Sequence, residues 1–406
     1  MPSTSSPADA ARASAWQVLG IFLRLGLTSF GGPVAHLGYF RAEFVVRRRW
    51  LDEAAYADLV ALCQFLPGPA SSQVGMALGL RQAGAAGALA AWVGFTLPSA
   101  LAMALLGLGL ATATGANWWP SGVLHGLKVA AVAVVAQAVW GMARSLCRGP
   151  VRLALMALAC ALALGWPGVG GQMGALAVAA AAGLALWGRS ADAPASPQPA
   201  AGGHRGVGAV LLGTFAVLLV VLPLAVHIWP QGWLVLADAF YRAGALVFGG
   251  GHVVLPLLQA EVVATGWVGE DDFLAGYGLA QAVPGPLFTL AAFLGAVARH
   301  GAGGWGGAVV CLVAIFLPAF LLVAGALPWW ERWRRLARVR AALSGVNAAV
   351  VGLLLAALCG PVWGSAIHAP ADGLLALLAL AALAWLRMPP WLVVPLCGLA
   401  GWWLVR

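Results

Sequence analysis

The chain has 406 residues, of which 62% are hydrophobic and only 9% charged, and its net charge is +9. Soluble domains average about 25% charged residues, so no soluble globular domain fits this composition. The apolar runs are continuous and not alternating, which excludes an outer-membrane barrel and leaves an all-α polytopic membrane protein. The positive charge is carried by arginines in short loops between the apolar runs. That is the signature of a multi-pass protein of the cytoplasmic (inner) membrane, not of a nucleic-acid surface.

The stretch from Met1 to Trp16 lacks a cleavable-signal pattern, so the first apolar segment is expected to remain. Apolar segments follow at 16–34, 54–80, 85–110, 122–144, 151–165 and 170–187. Residues 1–187 are read as a first repeat. Residues 188–206, with Pro194, Pro197 and Pro199, read as a polar linker, and 207–229 as a lone connecting helix. A second repeat, 230–406, then places apolar segments at 233–256, 272–298, 303–327, 342–363, 371–386 and 389–405.

The repeat is legible residue by residue. Arg24, Phe30-Gly31-Gly32 and Glu43 return as Arg242, Phe248-Gly249-Gly250 and Glu261, all at an offset of 218. Gln64 and Pro67-Gly68-Pro69 return as Gln281 and Pro284-Gly285-Pro286, and Lys128 is matched by Asn347. Glycine and proline weaken helices, and unwound backbone at membrane depth is tolerated only where protein or water satisfies it. Two matched pairs of breaks therefore point to a transport site near the midplane, between repeats. The extra span at 207–229 would invert the second repeat relative to the first.

Charge placement favours re-entrant hairpins. If the four broken segments turn back at FGG and PGP, then Arg41 to Arg49, Arg81, Arg144 to Arg152, Arg189, Arg205, Arg332 to Arg340 and Arg387 share one face. Glu270-Asp271-Asp272 fall on the other, and only Arg299 and Arg406 are misplaced. This gives nine spans and four hairpins; thirteen full spans is the competing count.

Arg24 and Arg242 lie deep in apolar segments, where a charge is costly and functional by default. The tip after the first PGP carries Ser71, Ser72 and Gln73, whereas Phe288 and Thr289 follow the second. A helix restarting after PGP offers free N–H groups to an anion. Arginine, lysine, glutamine, serine and helix N-termini are donors, and a tetrahedral oxyanion presents only acceptors. Lys128 and Asn347 join this donor set, as does His252 beside the second glycine run. Glu43 and Glu261 are candidates for coupling, either pairing the arginines or moving protons. The six cysteines are scattered without a CxxC and read as small buried residues. No phosphate-binding GxxxxGK[ST] loop and no haem, flavin or iron–sulfur spacing occurs, so neither ATP drive nor electron transfer is expected, and no cofactor or metal. The paired broken helices read as a secondary transporter and not an enzyme, with a membrane scaffold or membrane-embedded enzyme as the alternative.

Taken together, the FxRLGLTSFGGPVAHLGYF run, the Trp50-Leu51-Asp52-Glu53 corner, QFLPGPASSQ, FGGGHVVLP, QAVPGP and GVNAAVVGLLL resemble the chromate ion transporter family in its long, two-domain form. The resemblance covers essentially the whole chain. It implies an inner-membrane exporter of chromate with halves of opposite orientation, commonly described with thirteen spans. Sulfate presents the same tetrahedral acceptors, so the donor inventory leaves it open as a substrate. A homodimer is also left open.

Overall fold

The structure, a computed structural model, describes residues 13–29, 32–112, 121–166, 169–187, 205–247, 254–299, 302–330 and 336–404, and among them every regular element is helical. Six helices are long and apolar enough to cross a bilayer. The chain is a multi-pass membrane protein.

The first half opens with α1 (Ala15–Thr28), started by a capping box in which Ser14 and Gln17 each accept from the other's backbone N–H. It is 14 residues, or about 21 Å of helix, short of the roughly 30 Å hydrocarbon core. After the break comes α2 (Gly32–Arg41), continued by a π-helical turn at Ala42–Arg47. These limbs fold back on each other. Along a continuous helix, residues 24 and 43 would be about 28 Å apart; instead an Arg24 Nη2–Glu43 Oε2 ion pair closes at 2.6 Å. Phe22 of α1 stacks on Phe44 of the second limb at 5.1 Å between ring centres, and both limbs pack against Phe95.

Next come α3 (Glu53–Phe65), capped by the Asp52 carboxylate on the Ala55 N–H, and α4 (Ala70–Thr112). At 43 residues α4 would be about 64 Å long, twice what a bilayer needs. It is two helices. Ala83 and Gly84 leave helical geometry, and Gly79 and Gly87 then meet so closely that a Cβ on either would collide with the other's carbonyl. The chain therefore reverses at Ala83–Gly84, leaving a short limb at 70–82 and a full span from 85. The Ala13 N–H donates to Gln82 Oε1, so the start of α1 and the end of that limb share one face. Three helices complete the half: α5 (Ser121–Leu146), α6 (Pro150–Gly165) and α7 (Val169–Trp187).

The connecting helix, expected at 207–229, is α8 (Arg205–Ile228). It docks through Gly208 on Gly325 and through the Tyr241 hydroxyl donated to the Phe215 carbonyl, leaving most of its surface to lipid. The second half repeats the first. It runs through α9 (Gly232–Leu246), α10 (Val254–Leu258) with a π turn at Gln259–Val263, α11 (Glu270–Ala282), α12 (Leu290–Val297) and α13 (Gly304–Ala326). It closes with α14 (Ala337–Ala357), α15 (Pro370–Ala384) and α16 (Pro390–Leu404). Arg242 pairs with Glu261 at 2.6 Å and with Asp238 at 2.8 Å, so the matched hairpin is closed by the matched charges. The Arg299 N–H donates to the Trp267 carbonyl, which brings the outer ends of α11 and α12 together. Arg299, out of place by charge pattern, lies 4.0 Å from Asp272, which balances it locally.

The halves interlock. Gly126 of α5 packs against the backbone of Cys397 in α16, and Gly345 of α14 packs the same way against Ala179 of α7. Each half's long helix is thus held by the other half's last helix, through glycines that permit close backbone approach.

Breaking a buried ion pair leaves an uncompensated charge and costs about 3–5 kcal/mol. Arg242→Met leaves both Asp238 and Glu261 unpaired and should therefore lower the melting temperature of the purified protein sharply, and adding Asp238→Asn and Glu261→Gln should recover much of the loss. Cysteines placed near Arg47 and Arg148 should label from one face and a cysteine near Asp271 from the other; labelling of the first two from opposite faces would replace the hairpins with full spans.

Candidate functional site

The four breaks meet through the backbone. The Gly68 N–H donates to the Val247 carbonyl at 2.7 Å, and the Gly285 N–H donates to the Ser29 carbonyl at 3.0 Å. Val247 and Ser29 are the residues immediately ahead of the two FGG runs. Each PGP turn thus supplies a donor to the opened end of a helix in the other half. Both glycines sit at positive φ, +121° at Gly68 and +111° at Gly285, where a side chain is strained. A Cβ at Gly68 would lie 2.8 Å from Gln73 Nε2, and one at Gly285 would lie 2.5 Å from Ser99 Oγ.

Polar groups cluster around this crossing, and they come from the first half. Ser29, His36, Ser71, Ser72, Gln73, Thr96 and Ser99 are all buried. Gln73 Nε2 donates to the Pro67 carbonyl at 2.7 Å, tying the restarted helix back over the turn. His36 Nδ1 lies 3.4 Å from Ser71 Oγ, and its ring meets Phe95 edge-on. Among the described residues Ser29 Oγ, His36 Nε2, Ser72 Oγ, Gln73 Oε1 and Thr96 Oγ1 are buried without a hydrogen-bond partner. Buried polar atoms are nearly always paired, so the three hydroxyls and the imidazole, which can donate, make this region a candidate site, whereas Gln73 Oε1 can only accept. The second tip is different. Thr289 donates both its hydroxyl and its N–H to Pro286, and Phe288 packs on Phe316.

The expected site residues fall into three groups. Ser71, Ser72, Pro67, Gly68 and Pro69 are at the crossing with Pro284, Gly285 and Pro286; Gly32, at φ +76°, opens α2 beside it. Gly31, Gly249, Gly250 and His252 lie outside the described residues. Arg24 and Arg242, expected as ligands, pair with Glu43 and Glu261, the two coupling candidates, which is one of the two roles expected of those acids; Glu43 also accepts from Arg47 and Arg48.

A third group lines the approaches. Gln64 and Asn347 share a cavity of ≈ 380 Å³ with Arg152, Arg340 and Ser344. It connects the residue just ahead of the first PGP with the arginine-rich ends of α6 and α14. Lys128 is elsewhere: it binds Asp271 at 2.7 Å at the opposite end of the protein, where Gly278 of α11 packs against the Leu127 carbonyl of α5. Gln281 lies beside Tyr277, with its Nε2 buried and unpartnered. Sequence reasoning missed Ser29, His36, Thr96 and Ser99. The available signal was that each is a polar residue inside an apolar run, within a few positions of a break or of Pro98.

The family profile described as chromate transporter matches residues 16–187 and 234–402. A chromate transport protein of Pseudomonas aeruginosa is 32% identical over 95% of this chain and 91% of its own length. One from Cupriavidus metallidurans is 28% identical over 90% of this chain and 87% of its own. An uncharacterised transporter of Methanocaldococcus jannaschii is 25% identical, covering 84% and 83%. No solved structure matches.

Gly68→Ala and Gly285→Ala should each destabilise the crossing by about 1–3 kcal/mol through backbone strain. Thermal unfolding of the two variants should show similar losses, since each removes one of two equivalent contacts.

Proposed function

The chain belongs to the chromate transporter family, and on that footing we propose that it is a secondary transporter exporting chromate from the cytoplasm, binding the ion where the first PGP tip meets the other breaks. The observation that carries this reading is the group of buried, unpartnered polar atoms gathered around the two reciprocal glycine–carbonyl bonds. Taking a dianion out of water is very unfavourable unless a fixed set of donors replaces its hydration. The first turn of α4 supplies backbone N–H groups and the Ser71 and Ser72 hydroxyls, and the helix dipole adds partial positive charge.

The route in is the cavity lined by Gln64, Asn347, Ser344, Arg152 and Arg340. The guanidiniums of Arg152 and Arg340 give its mouth a positive lining, which concentrates anions there. By the positive-inside rule this mouth faces the cytoplasm, which gives the direction of loading. In this reading the two repeats are inverted and the membrane is the inner one. Arg24 and Arg242 hold their hairpins through Glu43 and Glu261, and the ligand role passes to the α4 tip. With no nucleotide-binding loop in the chain, transport runs on ion gradients.

The test is chromate accumulation in inverted vesicles, with the protein level in the membrane measured alongside. Ser72→Ala should lower chromate affinity roughly tenfold to a hundredfold, the range for losing a hydrogen bond to a charged group, and Gln73→Leu should lower it too, by releasing the Pro67 carbonyl that its amide holds. Thr289→Val, at the self-satisfied second tip, should change it by less than about threefold. Arg340→Ala should raise the half-saturation and flatten its dependence on salt. Full activity in both Ser72→Ala and Gln73→Leu would remove the site from the α4 tip. Sulfate should compete, since it presents the same acceptors.

A further inference from the structure

At the centre of the crossing sits a titratable side chain that the reading above leaves unused. His36 is fully buried, on α2, four residues after the glycine that opens it. Its ring lies beside the Ser29 backbone and against Ser71 in the first turn of α4, and Nε2 has no hydrogen-bond partner among the described residues. Ser71 belongs to the helix start that offers N–H groups to an anion, so whatever binds there binds next to this imidazole.

The surroundings decide its charge. From α1 it faces Ser29, and from α4 it faces Ser71 and Phe95, none of which titrates. From α3 the titratable groups are the Tyr56 hydroxyl, donated to the Leu37 carbonyl, and the buried Cys63. The charged groups of its own hairpin are engaged with one another: Arg24, Arg47 and Arg48 share the single carboxylate of Glu43, a cluster that stays net positive, and Arg41 pairs with Glu53. The second half contributes the Gly285 N–H through Ser29. A buried cation with no counter-charge is unfavourable, so the empty site holds a neutral imidazole. A dianion arriving at the α4 tip reverses that balance, because an opposite charge within a few ångströms favours the protonated ring. Chromate also lacks a full positive charge at this position otherwise, since Arg24 and Arg242 are committed to carboxylates.

We infer that His36 takes up one proton when the oxyanion binds, so that ion and proton cross the membrane together and the loaded site carries one negative charge instead of two. The inference rests on the α4-tip reading of the substrate site. The proton enters from bulk solvent by the route the ion takes and leaves with it; no bond other than N–H is made or broken. Among the described residues His36 has no counterpart in the second half, because Val254 stands where the repeat would place it.

The experiment is calorimetric titration of purified full-length protein with chromate, run in buffers of different ionisation enthalpy and repeated with His36→Gln. At about pH 8, where the imidazole is neutral when free and chromate is a dianion in solution, wild type should absorb close to one proton per ion bound. Between about pH 7 and pH 8 its chromate affinity should fall by about tenfold. His36→Gln should bind more weakly, take up almost no proton, and lose most of that pH dependence. Binding by wild type with no proton uptake overturns the inference, whether or not the variant folds. Equal uptake in wild type and His36→Gln also overturns it, placing the proton on the ion or elsewhere while the site reading stands. Failure of wild type to bind chromate at all removes the site reading and the inference together.

Discussion

Everything in this molecule depends on satisfying backbone where helices stop inside a bilayer. Each free N–H or C=O in hydrocarbon costs several kcal/mol, so a broken helix survives only if something supplies a partner. Here the partner comes from the opposite half: Gly68 serves Val247 and Gly285 serves Ser29. Neither half can build its own breaks. That constraint explains the positive φ at both glycines, the flanking prolines that give up donors the site could not satisfy, and the packing of α5 and α14 against the last helix of the other half.

Much of this was legible in the sequence, and the limits are specific. The common offset that aligned Arg24 with Arg242 and Glu43 with Glu261 also aligned two ion pairs, because a charge pair that closes a hairpin is a local feature and repeats with it. The greater polarity of the first tip was visible in Ser71 and Ser72 against Phe288. What pattern could not give was which break faces which. Gly68 and Val247 are far apart in sequence, and periodicity carries no information across that distance. His36, Thr96 and Ser99 were missed for the same reason. Each is an isolated polar residue in an apolar helix, and only the crossing brings them together. Lys128 and Asn347 occupy equivalent positions and were grouped for that reason, but equivalence under the repeat separates them to opposite ends of the protein, one on Asp271 and the other in the arginine-lined cavity.

The two halves share a fold but divide the chemistry. Formal charges sit toward the ends, while among the described residues the centre holds hydroxyls, amides, the His36 imidazole and helix N–H groups. This arrangement suits an anion that must leave again. A fixed arginine at the crossing would bind a dianion tightly in a low dielectric and release it slowly. Neutral donors, tuned by a helix dipole and joined by a charge that His36 would carry only while the ion is bound, hold it more weakly and by geometry.

The same division gives the proposed cycle a direction. On one side of the crossing, α3 stands off α14 far enough to leave a cavity that reaches Gln64. On the other, α11 packs directly on α5 and Lys128 bonds Asp271 across the contact. If the repeats exchange conformations, the closed contact opens and the cavity collapses, with α3 meeting α14 as α11 now meets α5. The exchange is not symmetric in energy, because the first-half contact would bring Asn347 to the place that Lys128 fills in the second. The closed outer contact has an ion pair with a largely buried ammonium, and the closed inner contact would have only an amide. In the proposed cycle an empty transporter would therefore rest with the arginine-lined cavity open, to load from that side. The bound ion must supply the difference in free energy that reverses the preference, and it can do so only through contacts stronger in the other state.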